Sequence, residues 1–204
     1  MNIVNSRIPD LEEYTYNMPL KTSYSHGNAN PEPFSQELGL HTLRIIKKGI
    51  TLFEDQIIID IGAGKTQNGY LASKALKARA YIGVEPFFAP SLYINLLTRN
   101  QKGSSTLSQL AAKNTQQIPT CIIPEDMLSF LKKIPNNSVS ILCSGIDRAI
   151  LDNNYLTQAN AELIRTLHPK GGILNYISDF HFPNLQNIFP RGILGQSPLK
   201  IYKK

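Results

Sequence analysis

Two acidic residues beside a glycine-rich turn are the part of this sequence whose residue types and spacing could support chemistry. Asp60 follows the isoleucine run 57–59 and precedes the turn Gly62-Ala63-Gly64, and Glu85 follows a second apolar run, 25 residues after Asp60. Glycines allow a tight turn whose amide groups can come close to a ligand. A carboxylate such as Asp60 can accept from an ammonium group, and one such as Glu85 can accept from both hydroxyls of a ribose. The pattern therefore predicts a ligand site where two strands end.

The turn after Asp60 fits three known ligand loops to different degrees. Its end, Gly64-Lys65-Thr66, matches a phosphate-binding P-loop, but that motif also needs a glycine at position 59, which is an isoleucine. A dinucleotide loop needs a third glycine at position 67, which is Gln67. The acidic-x-Gly-x-Gly loop of S-adenosylmethionine (SAM) binders needs neither, and its carboxylate and amide groups suit the ammonium and carboxylate of the methionine end. An ordinary strand-to-helix turn is the alternative without a ligand.

Residues that follow two later strands could contact an adenine ring. Pro86 and Phe87 come directly after Glu85 and could form an apolar or stacking wall. Asp126, just past a third apolar run, could accept from the exocyclic amino group, and the amide of Met127 could serve a ring nitrogen. These residues extend the predicted site from a ribose to a whole nucleoside.

The elements that must position these residues alternate along the chain. Short apolar runs predict strands at 57–59, 80–84, 120–123, 139–143 and 173–177, with two closing strands at 187–189 and 199–202. Helical spacing and caps predict helices from Ser35 to Gly49, over 70–79, within 89–118, over 128–133, and from 152–154 to 168. This alternation predicts an α/β fold with a doubly wound, parallel sheet, whose ligand lies beyond the carboxyl ends of the strands.

Composition indicates one globular domain. The 204 residues are 42% hydrophobic and 18% charged, and the net charge of +6 makes an anionic partner such as RNA plausible beside a plainly solvated surface. Cys121 and Cys143 lie in separate apolar runs, so we expect two reduced, buried thiols. Neither an apolar leader nor a run of 18 apolar residues is present, and we expect a cytoplasmic protein.

Within this single domain, residues 1–49 are interpreted as an N-terminal arm and helix that could act as a lid or contact a substrate, and residues 50–204 as the ligand-binding part. Prolines, asparagines and glycines mark residues 1–33 as irregular. Tyr14, Tyr24 and His26 lie in this arm, and Asp147 follows the fourth predicted strand. They are the candidates for a catalytic base, although each has an ordinary structural explanation.

Residues 50–204 resemble a class I SAM-dependent methyltransferase. The motifs that carry the resemblance are 60–64, 82–85, 125–127 followed by 134–139, and 162–174. The resemblance implies a Rossmann-like, seven-stranded, mostly parallel sheet with the last strand antiparallel and helices on both faces. The residues it assigns to the cofactor are Asp60, Gly62, Ala63, Gly64, Glu85, Pro86, Phe87, Asp126, Met127 and Ser144. Ser144 would lie near the methionine end and the transferred methyl.

The resemblance also implies what kind of reaction to expect. Residues 143–146 lack the Asp/Asn-Pro-Pro-aromatic motif of enzymes that methylate base amino groups, and the acidic set of metal-dependent catechol-type enzymes is absent, so we expect no metal. Direct methyl transfer needs alignment of the reactants, and a base only where the acceptor must lose a proton early. A small-molecule acceptor is favoured. RNA methylation, a SAM- or S-adenosylhomocysteine-binding protein without catalysis, and an NAD-dependent dehydrogenase are the alternatives.

Overall fold

The computed structural model describes residues 31–64, 67–86, 106–144, 146, 153–176, 178, 180–189 and 199–204. Within these residues the chain forms five helices and seven strands. The helices are α1 (Pro31–Lys47), α2 (Gln67–Ala75), α3 (Thr106–Lys113), α4 (Met127–Lys133) and α5 (Asn153–Thr166). The strands are β1 (Ile57–Ile61), β2 (Ala80–Val84), β3 (Thr120–Ile123), β4 (Ser140–Ser144), β5 (Gly172–Tyr176), β6 (Gln186–Asn187) and β7 (Leu199–Lys203).

All seven strands belong to one sheet, in the order β3-β2-β1-β4-β5-β7-β6. The first five strands pair in parallel, and β7 is antiparallel to both β5 and β6. The expected seven-stranded, mostly parallel sheet with an antiparallel last strand is confirmed. The chain winds outwards from β1 to β3 and then returns to β4 on the other side of β1. The boundary between β1 and β4 is therefore the topological switch point, where ligands of such folds bind.

The sheet is buried on both faces because its strands carry apolar side chains on both sides. We call the face covered by α1, α2 and α3 the first face and that covered by α4 and α5 the second face. Side chains of the first-face core include Leu38, Ile45, Ile58, Leu71, Leu107, Leu142 and Leu174. Side chains of the second-face core include Ile59, Ile61, Phe130, Ile141, Leu156, Leu163 and Ile173. Each such burial stabilises the fold by about 1.5–3 kcal/mol, and the expected helices on both faces are confirmed.

Helix α1 begins earlier than the sequence indicated. It starts at Pro31 rather than Ser35. The prolines at 31 and 33 were interpreted as loop markers, but they fall in the first turn of the helix. Proline is tolerated there because the N–H groups of the first turn make no hydrogen bond within the helix, and its fixed φ suits the helical conformation. The helix ends as expected before Gly49, whose φ of 65° is in the left-handed region.

Helix α2 ends earlier than predicted. It spans Gln67–Ala75 and not residues 70–79, because Lys77 has a φ of 57°, which turns the chain out of the helix. Lys77 and Arg79, which fall within the predicted range 70–79, therefore lie outside the helix. Lys77 instead forms an exposed salt bridge with Glu54, 3.1 Å between Nζ and Oε1.

The remaining expectations about the chain concern its cysteines and membranes. Cys143 is buried as expected, whereas Cys121 is only partly buried, and neither is in a disulfide. None of the helices in the described part of the chain has both the length and the apolar character that a membrane span requires.

Candidate functional site

A buried carboxylate lies near the carboxyl end of β1, at the switch point of the sheet. Asp60 is 2% exposed and, by the alternation of β1, lies on the first face. The Tyr81 hydroxyl donates to its Oδ2 at 2.7 Å, while Oδ1 is buried and has no hydrogen-bond partner among the described residues. Burial is the largest influence on the pKa of Asp60 and raises it, the Tyr81 hydrogen bond lowers it, and the charge of Glu85 raises it, so that the pKa of Asp60 is raised overall to about 7. Asp60 therefore titrates close to neutral pH.

Two glycines make room for the Asp60–Tyr81 pair. A Cβ at Gly69, in the first turn of α2, would lie 1.8 Å from Asp60 Oδ2 and 2.8 Å from the Tyr81 hydroxyl. A Cβ at Gly83 would lie 3.1 Å from the same hydroxyl. The two polar side chains thus fill space that any larger residue at position 69 would take.

The glycine-rich turn between β1 and α2 needs its glycines for conformation. Gly62 and Gly64 have φ values of 67° and 52°, in the left-handed region. A Cβ at Gly62 would also lie 3.1 Å from the side chain of Ile146. The N–H groups of Gly62 and Ala63 donate to Val84 O at 2.9 and 3.1 Å. Since these amides already have partners, a ligand carboxylate would have to displace one of them or find other donors.

Glu85 lies at the end of β2 and is joined to the turn. It is 6% exposed, and its Oε2 accepts from the Gly64 N–H at 2.8 Å. Its own N–H donates to Ile123 O of β3 at 3.0 Å, which fixes the residue where β2 ends. The acid after β2 and the turn after β1 therefore form one connected structure. Pro86 follows and is partly buried, and Phe87 lies outside the described residues.

Asp126 caps helix α4. Its Oδ1 accepts from the Ser129 N–H at 2.9 Å, which is the geometry of an N-cap, and its Oδ2 accepts from the Tyr155 hydroxyl. The expected contact of Asp126 with an adenine amino group would thus share a carboxylate that already has two partners. Met127 begins α4, and its side chain is buried in the second-face core.

Ser144 is the last residue of β4, on the strand beside β1. Its Oγ is buried and has no hydrogen-bond partner among the residues that the structure describes. Leu142 packs in the first-face core, so alternation places Ser144 on that face too, the face of Asp60. The two acceptors without a partner, Asp60 Oδ1 and Ser144 Oγ, therefore lie at the ends of neighbouring strands on one face.

The proposed catalytic residues cannot be placed in this arrangement. Tyr14, Tyr24, His26 and Asp147 all lie outside the described residues. In the described part of the chain, no group of three His, Cys, Asp or Glu side chains is arranged to hold a metal ion.

The sequence interpretation missed the tyrosines that hold the acids. A buried tyrosine needs a hydrogen-bond partner, so Tyr81 in an otherwise apolar strand was a usable signal. Tyr155 donates to Asp126 and accepts from the Leu128 N–H at 3.3 Å. Neither partner is close in sequence, and only the fold identifies the pairs.

A third tyrosine lies at the end of β5 and contacts α1. The hydroxyl of the fully buried Tyr176 donates to Glu37 Oε2, and burial raises the pKa of Tyr176. The ring of His41 lies 5.3 Å from that of Tyr176. Burial and the charge of Arg44 lower the pKa of His41, against the opposing charge of Glu37, so His41 is neutral at neutral pH. This cluster joins α1 to the edge of the sheet where the ligand site is expected.

Comparisons with known proteins give likenesses of structure only. No family model matches this sequence, and no curated protein matches it. A SAM-dependent methyltransferase from Archaeoglobus fulgidus is 15% identical, with a TM-score of 0.43 over 71% of this chain and 55% of its own. A candidate methylase from Haemophilus influenzae is 16% identical, with a TM-score of 0.49 over 81% and 97% of the two chains. A candidate methyltransferase from Escherichia coli is 17% identical, with a TM-score of 0.47 over 81% and 83%.

This chain spans 55% of the length of the Archaeoglobus protein. TM-scores of 0.43 to 0.49 support no conclusion about its activity. The strand order and the helix placement described above are what establish the α/β, Rossmann-like fold. What the chain does has to be argued from its own residues.

Proposed function

We propose that this chain is a SAM-dependent methyltransferase. The observation that supports the proposal is the pair of buried carboxylates, Asp60 and Glu85, on either side of a glycine turn at the switch point of the sheet. Two acids in one buried place favour a ligand that is cationic at one end and rich in hydroxyl donors at the other. SAM has an ammonium group and a ribose diol.

The same pair argues against a dinucleotide. A pyrophosphate binds through amide groups of the turn and the start of the helix. Here the Gly64 N–H donates to Glu85, and the charge of Glu85 already raises the pKa of Asp60. Phosphate groups at this turn would add negative charge to a site with two carboxylates, so the NAD-dependent alternative is disfavoured.

The proposal assigns each predicted residue to one part of SAM. Asp60 would accept from the ammonium group through Oδ1, and Glu85 would accept from the ribose hydroxyls. Pro86 and Phe87 would line the adenine, and Asp126 with Met127 would contact its polar edge. The turn formed by Gly62, Ala63 and Gly64 would lie beneath the methionine end, with Ser144 next to it on β4.

The chemistry follows from the sulfonium of bound SAM, which makes its methyl group electrophilic. The protein's contribution is to hold the acceptor in line with that methyl group and to exclude water. A base is needed only for an acceptor that must lose a proton, and Tyr14, Tyr24, His26 and Asp147 remain the candidates.

The acceptor in this proposal is a small molecule. RNA is the second candidate, favoured by the net charge of +6. Methyl transfer to RNA should weaken steeply with salt, because phosphate contacts release counterions, whereas transfer to a neutral small molecule should not.

Calorimetric titration tests the cofactor. Wild-type protein should bind SAM and S-adenosylhomocysteine but not NAD. Glu85→Gln should weaken this binding by about 1.5–3 kcal/mol, the range for a lost hydrogen bond to a charged group. Glu54→Gln is the matched control, because Glu54 lies on the surface before β1, at the opposite edge of the sheet, and should leave binding unchanged.

Binding of NAD alone would overturn the proposal in favour of a dehydrogenase. Binding of SAM without methyl transfer to any acceptor tested, whether small molecule or RNA, would instead support the non-catalytic SAM-binding protein. Absence of binding, with no retained ligand in the denatured protein by mass spectrometry, would refute a cofactor role altogether.

A further inference from the structure

The hydroxyl group of Tyr81 is not needed for packing, because a phenylalanine at this position would fill the same apolar space. The side chain is fully buried between β2 and α2. Burial of a hydroxyl is unfavourable unless it makes a hydrogen bond. The Tyr81 hydroxyl donates to Asp60 Oδ2 at 2.7 Å, and this bond joins two neighbouring strands across the start of α2.

The geometry leaves this pair little freedom to move. Gly69 and Gly83 lack the Cβ atoms that would collide with the two side chains, at 1.8 Å from Asp60 Oδ2 and 3.1 Å from the Tyr81 hydroxyl. The ring of Tyr70 packs edge-on against that of Tyr81, with 6.0 Å between centroids. One oxygen of Asp60 is thus held in a fitted space, and Oδ1 remains buried without a partner among the described residues.

We propose that Tyr81 is a positioning residue, which holds Oδ2 of Asp60 so that Oδ1 is presented to the ammonium group of the ligand. This inference rests on the proposed function, because that function supplies the ammonium group. Tyr81 itself would not touch the ligand. Its hydroxyl would orient the carboxylate and favour its ionised form.

The effect of the Tyr81 hydroxyl on the pKa of Asp60 has a definite direction. Among the described residues, the titratable groups coupled to Asp60 are Tyr81 on β2, Glu85 at the end of β2 and Cys143 on β4, while α2 faces Asp60 with Gly69. Burial and Glu85 raise the pKa of Asp60, whereas the hydrogen bond from Tyr81 lowers it. Loss of the hydroxyl therefore raises the pKa further, and the carboxylate becomes protonated at a higher pH.

Binding of an ammonium ligand should follow this titration. The ionised carboxylate attracts the ammonium group, so affinity should be full above the pKa of Asp60 and fall as the pH drops below it. In Tyr81→Phe the fall should begin at a higher pH. A ligand with the same nucleoside but no ammonium group should show neither effect.

The experiment compares two ligands by calorimetry between pH 5.5 and pH 9. S-adenosylhomocysteine carries the ammonium group, and 5′-methylthioadenosine has the same nucleoside and thioether without the amino-acid end. In wild-type protein, S-adenosylhomocysteine affinity should fall by up to about tenfold per pH unit below about pH 7, as expected for one protonation. Tyr81→Phe should move this fall to higher pH and leave 5′-methylthioadenosine affinity unchanged. Tyr70→Phe, which alters the neighbouring ring, is the matched control.

An unshifted pH profile for S-adenosylhomocysteine in Tyr81→Phe would overturn the inference. An equal loss of affinity for both ligands would also overturn it, because Tyr81 would then act only on the structure. If wild-type protein binds neither ligand, the proposed function itself fails, and the inference fails with it. Should Tyr81→Phe not fold, Gly83→Ala places a methyl group 3.1 Å from the Tyr81 hydroxyl and 2.9 Å from Ile122 Cδ1. A shifted profile for S-adenosylhomocysteine with unchanged 5′-methylthioadenosine affinity in this variant would support the inference, and an unshifted profile would overturn it.

Discussion

Replacement of Asp60 by asparagine should make the protein more stable at alkaline pH. Asparagine has nearly the shape of aspartate and can still accept the hydrogen bond from Tyr81, but it carries no charge into the buried site. Since burial raises the pKa of Asp60 to about 7, the ionised form is destabilised in the folded protein relative to the unfolded chain. Asp60→Asn removes that ionisation.

The magnitude follows from the shift in pKa. The rise from 3.8 to about 7 corresponds to about 4 kcal/mol, at roughly 1.4 kcal/mol per unit. Because the pKa is raised on folding, the stabilising contribution of Asp60 is full below pH 3.8 and is lost as the pH rises to about 7. The amide nitrogen that replaces Oδ1 would lack a partner, but this penalty does not depend on pH. We therefore expect the stability difference between variant and wild type to change by about 3 kcal/mol from pH 5 to pH 8.

Urea unfolding of both proteins at pH 5, 6, 7 and 8 measures this change, because the free energy of unfolding extrapolates linearly to water. Asp55→Asn is the control: Asp55 is exposed and has a φ of 56°, which asparagine also tolerates, so its difference should not vary with pH. A difference between wild type and Asp60→Asn that is constant from pH 5 to pH 8 would refute the reasoning about the buried carboxylate.

Four further substitutions probe other contacts. Asp126→Ala should lower the free energy of unfolding by about 1–2 kcal/mol through loss of the α4 cap, and Tyr155→Phe by about 1 kcal/mol; urea unfolding should show that the double variant loses less than the sum. Tyr176→Phe should cost about 1 kcal/mol through loss of its bond to Glu37, and thermal unfolding that shows no change would mean that this bond contributes nothing. Gly62→Ala should cost about 1–2 kcal/mol from left-handed strain alone, and should also weaken SAM binding in calorimetry; unaltered binding would contradict the placement of the ligand over this turn.

The sheet was predictable because its signals are local. A strand buried on both faces shows as an unbroken apolar run, as at 57–59, and a glycine turn marks where it ends. The boundaries that were wrong depended on longer-range structure. Lys77 adopts a left-handed conformation that its residue type does not indicate, and the Asp55 N–H donates to its carbonyl oxygen from another part of the chain at 3.0 Å.

The candidate site was predictable in its positions but not in its contacts. The sequence placed Asp60 and Glu85 at the ends of two strands, and both lie there. Which groups they contact depends on the register between strands, in which Tyr81 pairs with Ile58 and so faces the same side as Asp60. Sequence periodicity gives the face of each residue, whereas register comes only from the assembled sheet. The partnership of Asp60 with Tyr81 could not be predicted for this reason.

The position of β7 bears on the order in which the molecule assembles. It is the last strand along the chain, yet it lies between β5 and β6 and pairs with five residues of β5. During synthesis, β5 would keep an unpaired edge until residues 199–203 emerge, and β6 would have no partner in the sheet. The unpaired backbone groups of β5, a strand that includes the apolar side chains of Leu174 and Tyr176, can form hydrogen bonds with a strand of another nascent chain. Aggregation of this protein should therefore depend on how quickly one short, late segment inserts.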